Sequence, residues 1–232
     1  MATKKQQEAE IVSDESIQEA IGKTELWMQN NGRKVICALV AVFVVVGAVF
    51  AYKYLYTLPR NTKAAESMFM AEQLFKDGDY ETALNGDGSE AGFAAIVDKY
   101  ASTPAGNLAR QYAAECCMKL GDYDAALSYL TGYKHTKGAP NAIVNAQNYG
   151  LQGDVYVQKG DYSKAADLYR KAVEAADNVL TTPAYLKKLG LVYEKTGDRA
   201  AALKAFNRIA DEYPMSIEAR EAGKFIGAAG QE

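Results

Sequence analysis

Few residues in this chain have the type and spacing that chemistry requires. The single histidine, His135, stands between Lys134 and Lys137 in a loop-like stretch with no second ligand nearby, so no metal spacing exists. Three cysteines, Cys37, Cys116 and Cys117, do not make a disulfide framework. Cys37 lies inside an apolar run, and Cys116 and Cys117 are neighbours in a helical segment, where adjacent side chains point apart. They read as small residues of a helix interface. The run Asn85-Gly86-Asp87-Gly88-Ser89 has the look of a calcium loop. It lacks the alternating acidic ligands and the closing glutamate at the twelfth position, so it reads as a solvated loop. Acidic pairs such as Asp122/Asp124 and Asp211/Glu212 fall at helix ends, where capping and solvation account for them. No phosphate-binding glycine loop opens a helix after a strand, and no nucleophile elbow is present. The reading is a non-enzyme with no cofactor, no metal and no small-molecule substrate.

The 232-residue chain is 49% hydrophobic and 24% charged, with a formal net charge of −3. Nucleic-acid binding needs a basic stripe that releases counterions from phosphates, and this balance offers none. The length accommodates one anchor and one domain of ordinary size.

The anchor is the uncharged run from Val35 to Tyr52, continuing to Leu58. At 1.5 Å per residue it spans roughly 27 to 36 Å, enough for the hydrocarbon core of a bilayer. Lys53 can carry its ammonium to the headgroups, and Tyr52, Tyr54 and Tyr56 supply an aromatic belt, with Trp27 towards the opposite face. Val49 and Ala51 would satisfy a signal-peptidase rule. However, some 34 residues precede the run and it exceeds a usual signal core, which favours an uncleaved anchor. Lys23, Arg33 and Lys34 on one flank balance Lys53, Arg60 and Lys63 on the other, so charge does not set the orientation. In the tail, Ser13 and Asp14 precede Ile17, Ala20, Ile21 and Thr24, the spacing of an amphipathic helix. A break is expected at Asn30-Asn31-Gly32. The domains are therefore a tail at 1–32, an anchor at 33–58 and a helical domain at 59–232.

In the helical domain a Gly-Asp turn recurs at Gly78-Asp79, Gly121-Asp122, Gly160-Asp161 and Gly197-Asp198, at spacings of 43, 39 and 37 residues. Five residues after each glycine stands an alanine: Ala83, Ala126, Ala165 and Ala202. Such periods signal an array of helical hairpins. The glycine ends the first helix in the left-handed conformation, the aspartate caps the second, and the alanine lets the two approach closely. The spacing predicts helices over about 62–77, 80–100 (interrupted), 105–119, 123–135, 141–159, 162–177, 181–196 and 199–212. A capping helix follows at 216–228. The fold class is all-α: one N-terminal transmembrane helix, then an α-solenoid of about four hairpins with a C-terminal capping helix.

The third unit, with Tyr149, Gly153, Tyr156, Gly160, Tyr162, Ala165, Tyr169 and Ala172, resembles the tetratricopeptide repeat (TPR). The fourth matches at Leu186, Leu189-Gly190, Tyr193, Gly197, Ala202, Phe206 and Pro214, with Arg199 replacing the usual tyrosine. The second unit is degenerate, with Ala114 for glycine and Cys117 for tyrosine, and the first is interrupted by the glycine-rich run. The order of tail, anchor, four hairpins and cap resembles the ancillary Sec-translocon proteins of YfgM type. That resemblance implies an inner-membrane protein with its tail in the cytoplasm and its repeats in the periplasm. It also implies protein partners: the translocon, periplasmic chaperones or exported chains. The alternative is a cytosol-facing TPR scaffold or receptor that assembles a membrane complex. Lipid contact falls to residues 35–58. By repeat register, the concave face presents Gln111, Glu115, Lys119, Gln147, Asp154, Gln158, Lys187, Leu191, Glu194 and Lys195. Gly150 and Asp154 break the Lys and Asn pattern that grips a terminal carboxylate in chaperone-tail clamps of this fold.

Overall fold

The computed structural model describes residues 2–229, with the side chains of residues 2–21, 23, 24, 139, 140, 228 and 229 outside the description. The chain divides into two compact units, Met1–Pro59 and Arg60–Glu232.

The first unit is built on α1 (Ala2–Ala51) followed by a π-helical turn, Tyr52–Thr57. α1 runs unbroken through Asn30-Asn31-Gly32, where the sequence predicts a break. A glycine within a helix costs only about 1 kcal/mol and no proline is present to stop the ladder. The Asn31 amide donates to the Trp27 carbonyl one turn back (3.1 Å), so its polar group is satisfied inside the helix. In the π turn the Leu58 N–H reaches the Lys53 carbonyl. Phe50 stacks on Tyr54 and Tyr52 on Tyr56, with centroids 6.0 and 5.3 Å apart. One helix among the described residues is long and apolar enough to cross a membrane, and it lies here. Its large apolar side chains, including Leu39, Phe43 and Val45, are exposed. The side chains of Ser13, Asp14, Ile17, Ala20, Ile21 and Thr24, where an amphipathic face is expected, lie outside the description.

The second unit pairs α2 (Leu58–Lys76) with the interrupted α3 (Tyr80–Asn85) and α4 (Phe93–Tyr100). It then pairs α5 (Pro104–Leu120) with α6 (Tyr123–Thr131), α7 (Ala139–Gln158) with α8 (Tyr162–Ala175), and α9 (Thr182–Thr196) with α10 (Arg199–Glu212). α11 (Ile217–Ala229) closes the series. Each hairpin turns where expected: Gly78, Gly121, Gly160 and Gly197 have φ of 84°, 84°, 78° and 81°, which a β-carbon would oppose. Asp79, Asp122, Asp161 and Asp198 each accept a backbone N–H three residues on, from Thr82, Ala125, Lys164 and Ala201. Replacing Asp198 with alanine orphans one N–H at the start of α10. We expect a loss of about 1 kcal/mol in urea unfolding.

The small positions that recur from repeat to repeat are filled as packing demands. Ala83, Ala126, Ala165 and Ala202 are buried where paired helices meet. Adjacent positions on α5 serve different cores. Cys116 packs with Ala64, Met68 and Phe93, while Cys117 packs with Ala126, Leu130 and Val155. α6 ends at Thr131, short of the expected 135. The Asn107 carboxamide draws the following chain aside by donating to the Lys134 carbonyl and accepting from its N–H, both at 2.8 Å.

Candidate functional site

The first helices of successive hairpins, α5, α7 and α9, bring one group of polar side chains together. Asp154 on α7 is its hub. Its Oδ1 accepts from the Tyr169 hydroxyl at 2.7 Å, and both its oxygens accept from Lys188 Nζ of α9 at 2.7 Å. The Lys188 ammonium lies 5.8 Å from the Tyr169 ring centre and 5.9 Å from that of Tyr185. Gly150 leaves room for Tyr185, since a β-carbon there would stand 2.2 Å from its Cε1. Burial pushes the Tyr185 phenol up to about 12, and the negative charges of Asp154 and Glu115 push the same way.

Glu115 on α5 is half-buried, and its carboxyl titrates above the ordinary range. Burial is the main cause, Lys119 opposes it, and Asp154 adds to it. A carboxyl with a raised folded-state pKa binds its proton more tightly in the folded chain than in the unfolded one. Stability therefore falls as pH rises from the unfolded value through the folded one. Glu115→Gln should raise the melting temperature at pH 7, and the gain should vanish below the unfolded carboxyl pKa of about 4.3. A gain that persists at low pH would deny this account.

The ten residues expected on the concave face are not equivalent. Gln111 is only 2% exposed; its Nε2 donates to the Val144 carbonyl at 3.2 Å, so it joins α5 to α7 rather than meeting solvent. Lys187 is paired with Glu221 of α11 at 2.6 Å. Asp154 is held by Lys188 and Tyr169. Lys119, Gln147, Gln158, Glu194 and Lys195 are exposed, as is Leu191. Leu191 and Lys195 line a cleft of about 310 Å³ with Val157, Tyr162, Tyr169, Lys188 and Val192. Repeat register misses Lys188 and Tyr185. Both lie one turn of α9 apart, and only the tertiary contact with α7 marks them out.

Nothing in this arrangement activates a nucleophile. The buried Cys116 and Cys117 thiols are pushed up to about 12 and about 11, chiefly by burial, the reverse of what a reactive thiolate needs. His135 sits in an aromatic setting, its ring 5.3 Å from Tyr133 and 4.5 Å from Tyr149. Among the described residues no three His, Cys, Asp or Glu side chains gather to hold a metal.

Comparison with known proteins agrees with the geometry. The tetratricopeptide repeat family matches residues 151–217. The chain is 37% identical over 78 residues to photosystem I assembly protein Ycf3 of Prochlorococcus marinus, covering 33% of this chain and 42% of that one. It is 28% identical over 111 residues to Ycf3 of a Synechococcus species, covering 44% of this chain and 61% of that one. It thus spans less than two thirds of either relative. Among solved structures, MamA superposes with a TM-score of 0.55 at 19% identity, over 72% of this chain and 81% of its own, a likeness of fold. Residues 151–217 thus match tetratricopeptide repeats, and they lie in an all-helical solenoid of TPR-like fold, a fold that suggests protein–protein interaction.

Proposed function

We propose that this chain is a membrane-anchored docking module whose first-helix face holds other polypeptides. Residues 35–58 are the anchor and the repeats lie on the periplasmic side of the inner membrane, in the service of protein export or its chaperones. One observation carries the docking face. α5, α7 and α9 offer exposed Lys119, Gln147, Gln158, Leu191, Glu194 and Lys195 around the half-buried Glu115, Asp154 and Lys188 and the buried Tyr185. Mixed charge around a small apolar cleft suits a polypeptide better than a polyanion.

The likeness to two photosystem I assembly proteins favours a second reading, a scaffold that assembles a membrane complex from the cytosolic side. A topology test separates them. A reporter active only outside the cytoplasm is fused after Glu232, and a second is fused ahead of the anchor. Activity from the C-terminal fusion alone supports the export reading, and crosslinking from Leu191 then identifies what is held. A cytosolic C-terminus ends that reading and leaves the assembly scaffold.

A further inference from the structure

In stacked antiparallel hairpins, every loop from a second helix to the next first helix emerges on the same edge. Contacts tie neighbouring loops together along this edge. The Arg60 guanidinium donates to the Lys99 carbonyl. Asn107 exchanges two hydrogen bonds with the backbone of Lys134. Asp177 accepts from the Tyr213 hydroxyl and from Arg208.

Two of these loops hold large apolar side chains in water. Val179 and Leu180 are 74% and 76% exposed, and Met215 and Ile217 are 96% and 66% exposed. The first loop is tightly held. Asn178 Oδ1 accepts from the N–H groups of Leu180 (2.8 Å) and Thr181 (3.0 Å), and the Thr182 hydroxyl donates to the Ala176 carbonyl at 2.9 Å. The loop between α6 and α7 carries exposed Lys134, His135 and Lys137, and Lys99 is exposed at the end of α4. Asp177 and Glu212, which flank the apolar loops in sequence, are both held by Arg208.

We propose that this edge docks on a phospholipid surface. Val179, Leu180, Met215 and Ile217 enter the headgroup boundary, and Lys99, Lys134 and Lys137 meet lipid phosphates. The proposal rests on the anchor reading above. Three observations choose lipid over a protein partner. The chain enters the unit on this edge: Arg60, bonded at Lys99, follows Leu58 by two residues, at most about 7 Å of chain. A tether that ends there keeps lipid at high effective concentration. The apolar residues stand on two separate connections between hairpins, and the α6–α7 loop carries the cations Lys134 and Lys137 with no acidic residue, as at interfacial segments that bind anionic lipid.

The test uses the full chain in vesicles of zwitterionic and anionic phospholipid, in a Cys37→Ala background where the buried Cys116 and Cys117 stay unlabelled. A polarity-sensitive fluorophore is attached at Leu180→Cys or Met215→Cys. The reference position is Asp77→Cys, in the turn between α2 and α3 on the other edge. Flotation after an alkaline wash checks the anchor. In floating protein, lipids carrying a shallow nitroxide should quench positions 180 and 215 at least about threefold more than position 77. Lys134→Glu with Lys137→Glu should reduce that difference in anionic vesicles. Equal quenching at all three positions in floating protein overturns edge docking and leaves the anchor standing. Protein that fails to float overturns both. Shielding that ignores the nitroxide and grows with protein density assigns the loops to a second copy of the chain and overturns lipid docking.

Discussion

Phe206→Ala lowers the stability of the repeat unit by about 3–5 kcal/mol, the range for deleting a buried aromatic ring. Phe206 is 1% exposed and stacks on Phe225 of α11, with centroids 4.7 Å apart and planes within 9°. Its other side rests on Gly190 of α9, where an added β-carbon would stand 2.6 Å from its Cε1 and Cζ. One ring therefore joins α9, α10 and α11, and deleting it opens a cavity that three helices must collapse to fill. The same contact predicts a coupling. Gly190→Ala alone overpacks the site, at about 1–3 kcal/mol. Beside Phe206→Leu it should cost much less, because the atoms it would strike are gone. Urea unfolding of the two single variants and the double variant gives the interaction energy. Additive losses would mean that Gly190 is small for some other reason.

That contact also shows what the sequence made legible. Gly190 and Phe206 are sixteen residues apart, as are Gly153 and Tyr169, whose Cε1 would stand 2.6 Å from a β-carbon on Gly153. Repeat spacing pairs them because each hairpin folds almost entirely on itself and its neighbours, so local pattern determines local contact. The caps at Asp79, Asp122, Asp161 and Asp198 were readable for the same reason. Other features depend on geometry between repeats. Gln111 falls at a register position that faces the groove, yet Val144 of the next first helix takes its amide into the interior. Lys188 carries the ion pair while its neighbour Lys187 turns to α11. A single sequence position does not tell which of two adjacent lysines finds a carboxylate on another helix. The length of α6 escaped for a similar reason, since the Asn107 contact that draws Lys134 aside spans 27 residues.

Asp154 is where stability and docking meet, and its variants separate the two. Asp154→Ala removes the acceptor of the Tyr169 hydroxyl, on a residue only 2% exposed, and strands the Lys188 ammonium. A buried hydroxyl left without a partner costs about 1–3 kcal/mol. The ion pair, with side chains 26% and 38% exposed, adds less than about 1 kcal/mol. Tyr169→Phe leaves Asp154 with Lys188 and should cost less. Combined with Asp154→Ala it should recover part of the loss, because no hydroxyl then remains to satisfy. Lys188→Met keeps the Tyr169 bond and should change stability little, yet it uncovers a carboxylate beside Glu115 and makes the first-helix face more acidic. If that face holds partners, Lys188→Met alters crosslinking from Leu191 at nearly wild-type stability, while Tyr169→Phe leaves crosslinking alone. Unchanged crosslinking in both variants would reduce the Asp154 group to a joint between α7, α8 and α9, and would move the docking surface elsewhere on the repeats.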